Sequence, residues 1–394
     1  MEIDFPLTKI KEGKIEFYVP NFKKFEKEYK TYSSVLPVFY NPVMKLNRDF
    51  AVLVVQVFQM EKDYQITVCE PLAGCGVRGL RFAKEVEGVE EVVVNDLNPK
   101  AYKLIQKNIS LNGLEKTVKV YCEDANFILS RFAGKGKRFD VVDVDPFGSP
   151  APYLNSALRA TKNGGLLCLT ATDTAVLCGV HSKACLRRYE AKPLRTEYNH
   201  ELAVRILVGF VCREAAKIDL AIQPVFCHST NHYVRVYVKI FRGAKKADKA
   251  LTGLGYIYHC FNCLNRKIFN KPFPENQTCE ICGGTMDFAG PLWVKELWDK
   301  KFVEKMLNLA NVKDLGKNLN KILWKIFLEI EGEPTYYVLS YLCDFLNIPT
   351  PSYQSIFKKL EKEGFKVTPT HFNPQGLKTN APINILKKIL LENV

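Results

Sequence analysis

The sequence predicts an α/β protein: a doubly wound, mostly parallel sheet in residues 1–242, then a smaller α+β domain in residues 243–394 with a four-cysteine insertion. Three observations predict it. Apolar strand-like runs alternate with helix-length segments from Ile66 to Thr170, the pattern of βαβ units. The first run ends in a glycine-rich turn, Gly74-Cys-Gly76-Val-Arg78-Gly79, that opens a helix. Two C-x-x-C pairs lie between residues 260 and 282.

Composition bounds the reading. A chain of 394 residues exceeds one ordinary core, so two domains are expected. With 47% hydrophobic and 25% charged residues it is neither disordered nor membrane-spanning, and Ala51 to Met60 is too short to span. The start, MEIDFPLTKIKEGK, lacks the apolar run of a signal peptide, so a cytoplasmic protein is expected. A formal charge of +14 favours a polyanionic partner, although a generally lysine-rich proteome would give the same surplus. Nine of the thirteen cysteines lack ligand spacing and read mostly as buried small hydrophobes.

In chain order, residues 1–30 read as a charged lead-in with a strand-like piece at Ile15 to Val19. Asn41-Pro42 marks a turn, and Leu46 to Phe58 reads as a helix, with Arg48 a solvated first-turn charge. Ile66 to Cys69 is the first strand, and Gly74 and Gly76 let the following turn approach a ligand closely. Glu91 to Asp96 is the second strand; Asp96, 17 residues after Gly79, suits a ribose hydroxyl pair. After a helix at Ala101 to Leu111, the third strand, Val118 to Tyr121, leads to Asp124, placed to accept from an adenine amine. Either acid alone reads as a turn or helix cap; with Asp145 after the fourth strand they make three at consecutive strand ends, which favours a nucleotide-like ligand.

The fourth strand, Phe139 to Val144, runs into Asp145-Pro146-Phe147-Gly148. Proline cannot donate to the ladder, so the strand stops there, on the edge where open α/β sheets bind ligands. In isolation this is an Asp-Pro turn with a core Phe. On this edge it offers a carboxylate and a carbonyl to accept both N–H bonds of an aromatic amine, with a ring to stack on the base. Such amines are weak nucleophiles because the lone pair is delocalised, so a catalyst must localise and aim it. A helix at Tyr153 to Thr161 and a fifth strand at Gly165 to Thr170 complete the run.

EPLAGCGVRGLRFA, VVNDLNP, CEDAN, VDVDPFGSP and LTATDTAVLCGVHSKACLRRY together resemble the tRNA guanine-26 N2-dimethyltransferases, as do VFYNPVMKLNRD and THFNPQGLKT. The resemblance runs from about Val38 to Thr379. It implies a Rossmann-like class I methyltransferase sheet using S-adenosylmethionine, with one or two methyl groups placed on N2 of guanine 26 in tRNA and a neighbouring guanine a second candidate. By motif position it implies Arg48, Arg78, Asp96, Asp124 and Ala125 as cofactor contacts and Asp145 as the group holding the amine. It implies Phe39 and Phe147 as rings that sandwich a flipped base. It also moves Arg48 from surface charge to cofactor contact.

Beyond the sheet, His181 to His200 carries Lys183, Arg187, Arg188, Lys192 and Arg195, with Arg205 downstream; a solvated loop-helix face is the plain reading, and the resemblance favours a phosphate-contacting rim. His181 and His200 read as structural. Glu201 to Ala216 suggests an amphipathic helix, Leu220 to His228 and Tyr233 to Phe241 two strands, and Lys239 to Lys249 a basic linker. Cys260-Phe-Asn-Cys263, fifteen residues, then Cys279-Glu-Ile-Cys282 match a four-cysteine structural zinc site of ribbon type. Helices are expected at Val294 to Leu309, Lys317 to Ile330, Tyr336 to Phe345 and Ser352 to Glu363, the last two with Phe365 to Val367 forming a winged-helix-like unit. Thr370 to Phe372 and Lys378-Thr379 read as either tRNA contacts or core packing, with tRNA contact favoured. A monomer is expected. Two other classes stay open: an NAD- or FAD-dependent oxidoreductase using the glycine turn, and a non-catalytic RNA-binding zinc protein.

Overall fold

The computed structural model describes residues 3–21, 36–230, 232–271, 273–313 and 316–392. Contacts gather the chain into two compact units: Met1–Thr170 with Tyr237–Phe241 and Lys305–Leu319, and Ala171–Val236 with Arg242–Glu304 and Asn320–Val394.

The first unit begins with an antiparallel hairpin, β1 (Leu7–Glu12) and β2 (Ile15–Pro20). Ile15, Phe17 and Val19 alternate inward and are fully buried, so part of the expected lead-in is a core element. Residues 22–35, where the rest of it falls, lie outside the described residues. The hairpin turns at Gly13, at φ +57, where a Cβ would overlap the Glu85 carboxylate. Asn41 caps a short 3₁₀ turn, and α1 (Lys45–Gln59) follows, buried along most of its length.

The βαβ alternation continues as β3 (Ile66–Glu70), α2 (Val77–Glu85), β4 (Val89–Asn95), α3 (Pro99–Asn112), β5 (Val118–Tyr121), α4 (Ala125–Arg131), β6 (Phe139–Val144), α5 (Leu154–Ala160) and β7 (Thr161–Ala171). The fifth strand starts earlier than expected because Thr161 already pairs with Phe139. One seven-stranded sheet has the order β5-β4-β3-β6-β7-β9-β8, where β8 is Leu220–Thr230 and β9 is Tyr233–Arg242. The pairs β3–β4, β4–β5, β3–β6 and β6–β7 are parallel. From β3 the chain moves outward to β4 and β5, then returns to place β6 on the other side of β3. The sheet therefore has its switch point between the C-terminal ends of β3 and β6, the position at which doubly wound sheets bind ligands.

In the second unit, α6 (Ser182–Tyr189) precedes α7 (Asn199–Ala216). The latter is buried on every side rather than amphipathic, because its charges are neutralised inside. Arg205 donates to Glu201 at 2.9 Å and Lys378 to Glu201 at 2.7 Å. The basic stretch after β9 is not a linker but a helix, α8 (Ala244–Leu251), which starts after Gly243 in strong helix formers. Three short antiparallel strands frame the cysteines, which lie in the turns between them: β10 (Leu254–His259), β11 (Arg266–Phe269) and β12 (Asp287–Trp293), in the order β11-β10-β12. The helix expected from Val294 begins later, as α9 (Lys300–Lys313), because the chain leaves β12 only at Trp293.

Then come α10 (Lys317–Glu329), β13 (Tyr337–Val338), α11 (Leu339–Leu346), α12 (Tyr353–Lys362), β14 (Val367–Pro369), β15 (Gly376–Thr379) and α13 (Ile383–Leu391). The sheet order β13-β15-β14 with α11 and α12 packed on it is a winged-helix arrangement, as expected. The reading of the following loop as tRNA contact is corrected. Thr370, Phe372 and Lys378 are buried. Thr370 donates to Glu329 at 2.5 Å, His371 also pairs with Glu329, and Lys378 pairs with Glu201. These polar side chains satisfy one another inside the unit, which is what permits their burial.

Candidate active site and metal centre

The switch point gathers carboxylates around one guanidinium. Glu70 ends β3, Asp143 lies in β6 and Asp145 follows it; the register Val68↔Val141 and Cys69↔Val142 brings Glu70 and Asp143 side by side. Arg78, in the first turn of α2, pairs with Asp145 and places its Nε 3.6 Å from Glu70 and 3.8 Å from Asp143. Three carboxylates sharing one cation cannot all ionise cheaply. Burial pushes the Glu70 carboxyl up to about 8, Asp143 and Asp145 add to this, and Arg78 and the Gly79 N–H oppose it. The native state thus keeps a proton that the unfolded chain releases near the ordinary value of 4.5, so stability should fall as pH rises from about 4.5 to 8. Glu70→Gln is expected to remove this component, at most about 1.4 kcal/mol per pH unit. Denaturant titrations of both proteins at several pH values check it; parallel slopes would refute it.

The glycine turn closes against the Phe39 segment. Gly74 has φ +56, and a Cβ there would lie 2.9 Å from the Phe39 carbonyl oxygen. Gly76, at φ +79, caps α2. The Gly74 N–H donates to Asp96 at 2.7 Å and the Asn98 N–H donates to the other oxygen at 2.9 Å. Asp96 is thus held rigidly at the end of β4, with lone-pair capacity left on both oxygens. A cavity of about 560 Å³ is lined by Phe39, Gly74, Asp96 and Phe147. An adjoining smaller one is lined by Phe39, Arg48, Gly74, Arg78 and Asp145. Pro146 is buried beneath the loop, and Phe147 is 67% exposed. The Phe39 and Phe147 rings touch edge-on, centroids 4.3 Å apart at 76°.

Asp124 and Ala125 stand apart from these cavities. Asp124 caps α4, accepting from Asn126 and Phe127 N–H at 2.9 and 3.1 Å. Arg48 is not a solvated charge: it is 5% exposed. Its guanidinium grips Glu12 through two hydrogen bonds of 2.7 Å and donates to the Asn41 carbonyl at 3.2 Å. Arg81 bridges Glu12 at 2.9 Å and Asp49 at 2.7 Å. Burial disfavours ionised Glu12, yet hydrogen bonding and charge from Arg48, then Arg81, hold its carboxyl at about 2. Glu12, Tyr40, Glu70 and Asp143 were not singled out in the sequence. Glu70 had a usable signal, an acid at a strand end beside the glycine turn; Glu12 had none.

The four cysteine sulfurs lie within 4.8 Å of one another, with Cys260–Cys282 and Cys263–Cys279 at 3.4 Å. Tetrahedral Zn–S bonds near 2.3 Å require sulfurs about 3.8 Å apart, so four thiolates converging in this way fit a zinc ion. Burial raises the Cys279 thiol, but the N–H groups of Cys282 and Ile281 outweigh it and bring the thiol to about 6. No carboxylate or histidine joins this cluster among the described residues, as expected of a structural site.

On the basic segment, Lys183 and Arg187 are exposed, whereas Arg188 pairs with Asp173 at 2.9 Å and Lys192 pairs with Asp287. Arg205 is removed from the expected rim: it is buried against Glu201 and the Trp293 carbonyl. His181 is exposed; His200 is half-buried beside Cys178, and burial lowers its pKa.

The sequence pattern of the family described as TRM, N2,N2-dimethylguanosine tRNA methyltransferase, matches residues 17–391. A tRNA (guanine(26)-N(2))-dimethyltransferase of Methanocaldococcus jannaschii is 44% identical over 392 residues, covering 96% of this chain and 98% of its own. One from Methanosphaera stadtmanae is 41% identical over 388 residues, covering 97% and 96%. The solved structure of Trm1 from Pyrococcus horikoshii with S-adenosyl-L-methionine superposes with a TM-score of 0.85 at 35% identity, covering 98% of this chain and all of that one.

Proposed function

This chain belongs to the N2,N2-dimethylguanosine tRNA methyltransferase family, and from that premise we propose that it transfers methyl groups from S-adenosylmethionine to N2 of guanine 26 in tRNA, twice in succession. The oxidoreductase and non-catalytic readings give way to it. The observation that carries the proposal is the meeting of the Asp145-Phe147 loop with Phe39, distant in sequence, beside the glycine turn at the switch point.

S-adenosylmethionine supplies an electrophilic methyl group. Arg48, Arg78 and Asp96 are the groups proposed to hold this cofactor in the two cavities, with Gly74 and Gly76 shaping the turn; Asp124 and Ala125, which line neither cavity, are proposed as contacts for a part of the cofactor that extends beyond them. A methionine carboxylate suits the cationic wall, and a ribose suits the fixed carboxylate of Asp96. The guanine must leave its stack to reach the loop. In the first transfer Asp145 accepts one amine N–H and the Pro146 carbonyl the other, which turns the nitrogen lone pair toward the methyl. As the N–C bond forms the methyl–sulfur bond breaks and S-adenosylhomocysteine leaves. The Asp145 carboxylate takes the proton that the nitrogen gives up, and the one remaining N–H serves the second transfer. Asp145 remains paired with Arg78, so the carboxylate is anchored while it serves the amine.

With rings 4.3 Å apart, a base cannot lie between Phe39 and Phe147 until one ring swings out. Exposed Phe147 is the ring to move. Stacking on one ring contributes about 1–3 kcal/mol, so Phe147→Ala should lower kcat/KM for tRNA roughly 10- to 100-fold and leave cofactor affinity unchanged. Steady-state kinetics with cofactor-binding titrations check this.

We assign catalysis to residues 1–242 and tRNA docking to residues 243–394, where exposed lysines such as Lys321, Lys358 and Lys362 mark α10 and α12. The enzyme is proposed to work as a cytoplasmic monomer; thirteen cysteines without a disulfide among them fit a reducing compartment. No helix among the described residues is long and apolar enough to cross a membrane. The deciding experiment incubates an unmodified tRNA transcript with methyl-labelled cofactor and maps the product. Dimethylguanosine at position 26 is the expected result; label elsewhere, or none, would overturn the proposal.

A further inference from the structure

The N-terminal hairpin sends one carboxylate into the wall of the site. We propose that Glu12 is a positioning residue, fixing Arg48 on one side and the Tyr40-Asn41 segment next to Phe39 on the other. The proposal rests on the methyltransferase reading above.

The geometry is that of a shared anchor. Glu12 Oε1 accepts from Arg48 Nε at 2.7 Å and from Arg81 at 2.9 Å. Glu12 Oε2 accepts from the second Arg48 nitrogen at 2.7 Å and from the Tyr40 hydroxyl at 3.2 Å. Both Arg48 terminal nitrogens also donate to the Asn41 carbonyl at 3.2 Å. The segment 39–41 is thus bound twice to one charge system, through its tyrosine hydroxyl and through its backbone. Phe39 lies in that segment and lines both cavities. Burial, then Glu12, keeps Tyr40 protonated and so a donor. A bidentate grip fixes the plane of a guanidinium as a single contact cannot.

The hairpin does not depend on Glu12 for its attachment. Asn108 accepts from the Tyr18 N–H at 2.7 Å and donates back to the Tyr18 carbonyl at 3.1 Å. Asn112 makes the same pair with Glu16 at 3.2 and 2.7 Å. The Lys14 N–H donates to Glu85 at 3.1 Å. The buried carboxylate is therefore surplus to docking the hairpin, while its acceptors are all spent on the site side or on Arg81. Glu12→Gln keeps the shape but presents an NH₂ to a cation, so Arg48 loses its bidentate partner. Tyr40→Phe removes a single hydroxyl and leaves Arg48 paired.

The test uses the full chain with S-adenosylhomocysteine as the binding probe and unmodified tRNA for turnover, well below each variant's melting midpoint. Glu12→Gln should weaken binding of the probe roughly 10-fold or more. Tyr40→Phe should bind it as wild type and lower kcat roughly 3- to 10-fold with both substrates saturating. A merely structural role would lower the melting midpoint and leave both quantities alone. Wild-type affinity in Glu12→Gln overturns the proposal, and so does wild-type turnover in Tyr40→Phe, which decides alone if Glu12→Gln does not fold. A wild-type chain that fails to bind the probe overturns the methyltransferase reading instead.

Discussion

Asp145→Ala is expected to slow methyl transfer to unmodified tRNA about 10³-fold or more while changing cofactor affinity less than about threefold. The reason lies in what the variant leaves behind. Arg78 keeps Glu70 at 3.6 Å and Asp143 at 3.8 Å, so no buried cation is stranded and the glycine turn stays in place. Asp145 is itself partly exposed, its side chain 18% accessible, and its truncation opens no core cavity. What disappears is the acceptor that localises the amine lone pair and faces the positive charge developing on nitrogen. Asp145→Asn separates two contributions: its amide oxygen still accepts an N–H but no longer balances charge, so it should fall between wild type and alanine. Single-turnover transfer of labelled methyl, with the cofactor titrated separately, measures both. Turnover in Asp145→Ala within tenfold of wild type would remove the residue from the mechanism.

Local signals carried the sheet and the reacting loop. Val92 to Val94 and Leu166 to Leu169 are continuous apolar runs, and Val141 to Val144 is one interrupted only by Asp143, because a doubly wound sheet is covered on both faces, and each is buried. Asp145 and Phe147 share one short motif, so their proximity needed no tertiary information. The failures have the opposite cause. Arg48 looked solvated because its partner Glu12 is 36 residues away. Lys378 and His371 looked like RNA contacts because lysine and histidine usually face water, yet Glu201 and Glu329 meet them in the interior. Arg205 and Glu201, one turn apart, made α7 look amphipathic although both are buried. A charge that pairs at long range leaves no trace in a sequence window, so buried ion networks, including the one behind the site, are what a single sequence conceals. The strands β10 to β12 escaped for another reason: they are short, and the turns between them are set by cysteines whose role is ligation.

That last point yields the second large effect. The core around the four cysteines consists of Tyr256, Tyr258, Cys260, Cys263, Cys279 and Met286, so most of the ligands are themselves core residues. Without an ion, several thiols are left crowded at 3.4 Å with little apolar area to hold the strands. Metal binding then supplies folding free energy, and the sheet β11-β10-β12 should depend on it. One zinc per chain is the expected content. Cys279→Ser should lose it and destabilise this unit by at least about 3 kcal/mol, roughly 6–12 °C in melting midpoint for a domain of this size. Cys122→Ser, at an exposed cysteine outside the cluster, should retain both metal and midpoint. The cofactor pocket is built from residues far from β10 to β12 in the chain, so probe affinity in Cys279→Ser at low temperature should remain close to wild type. Metal analysis with thermal melts tests the first claim and binding titration the second. Loss of zinc with an unchanged midpoint would make the cluster an ornament of the fold. Loss of zinc accompanied by lost cofactor affinity would make it part of the site.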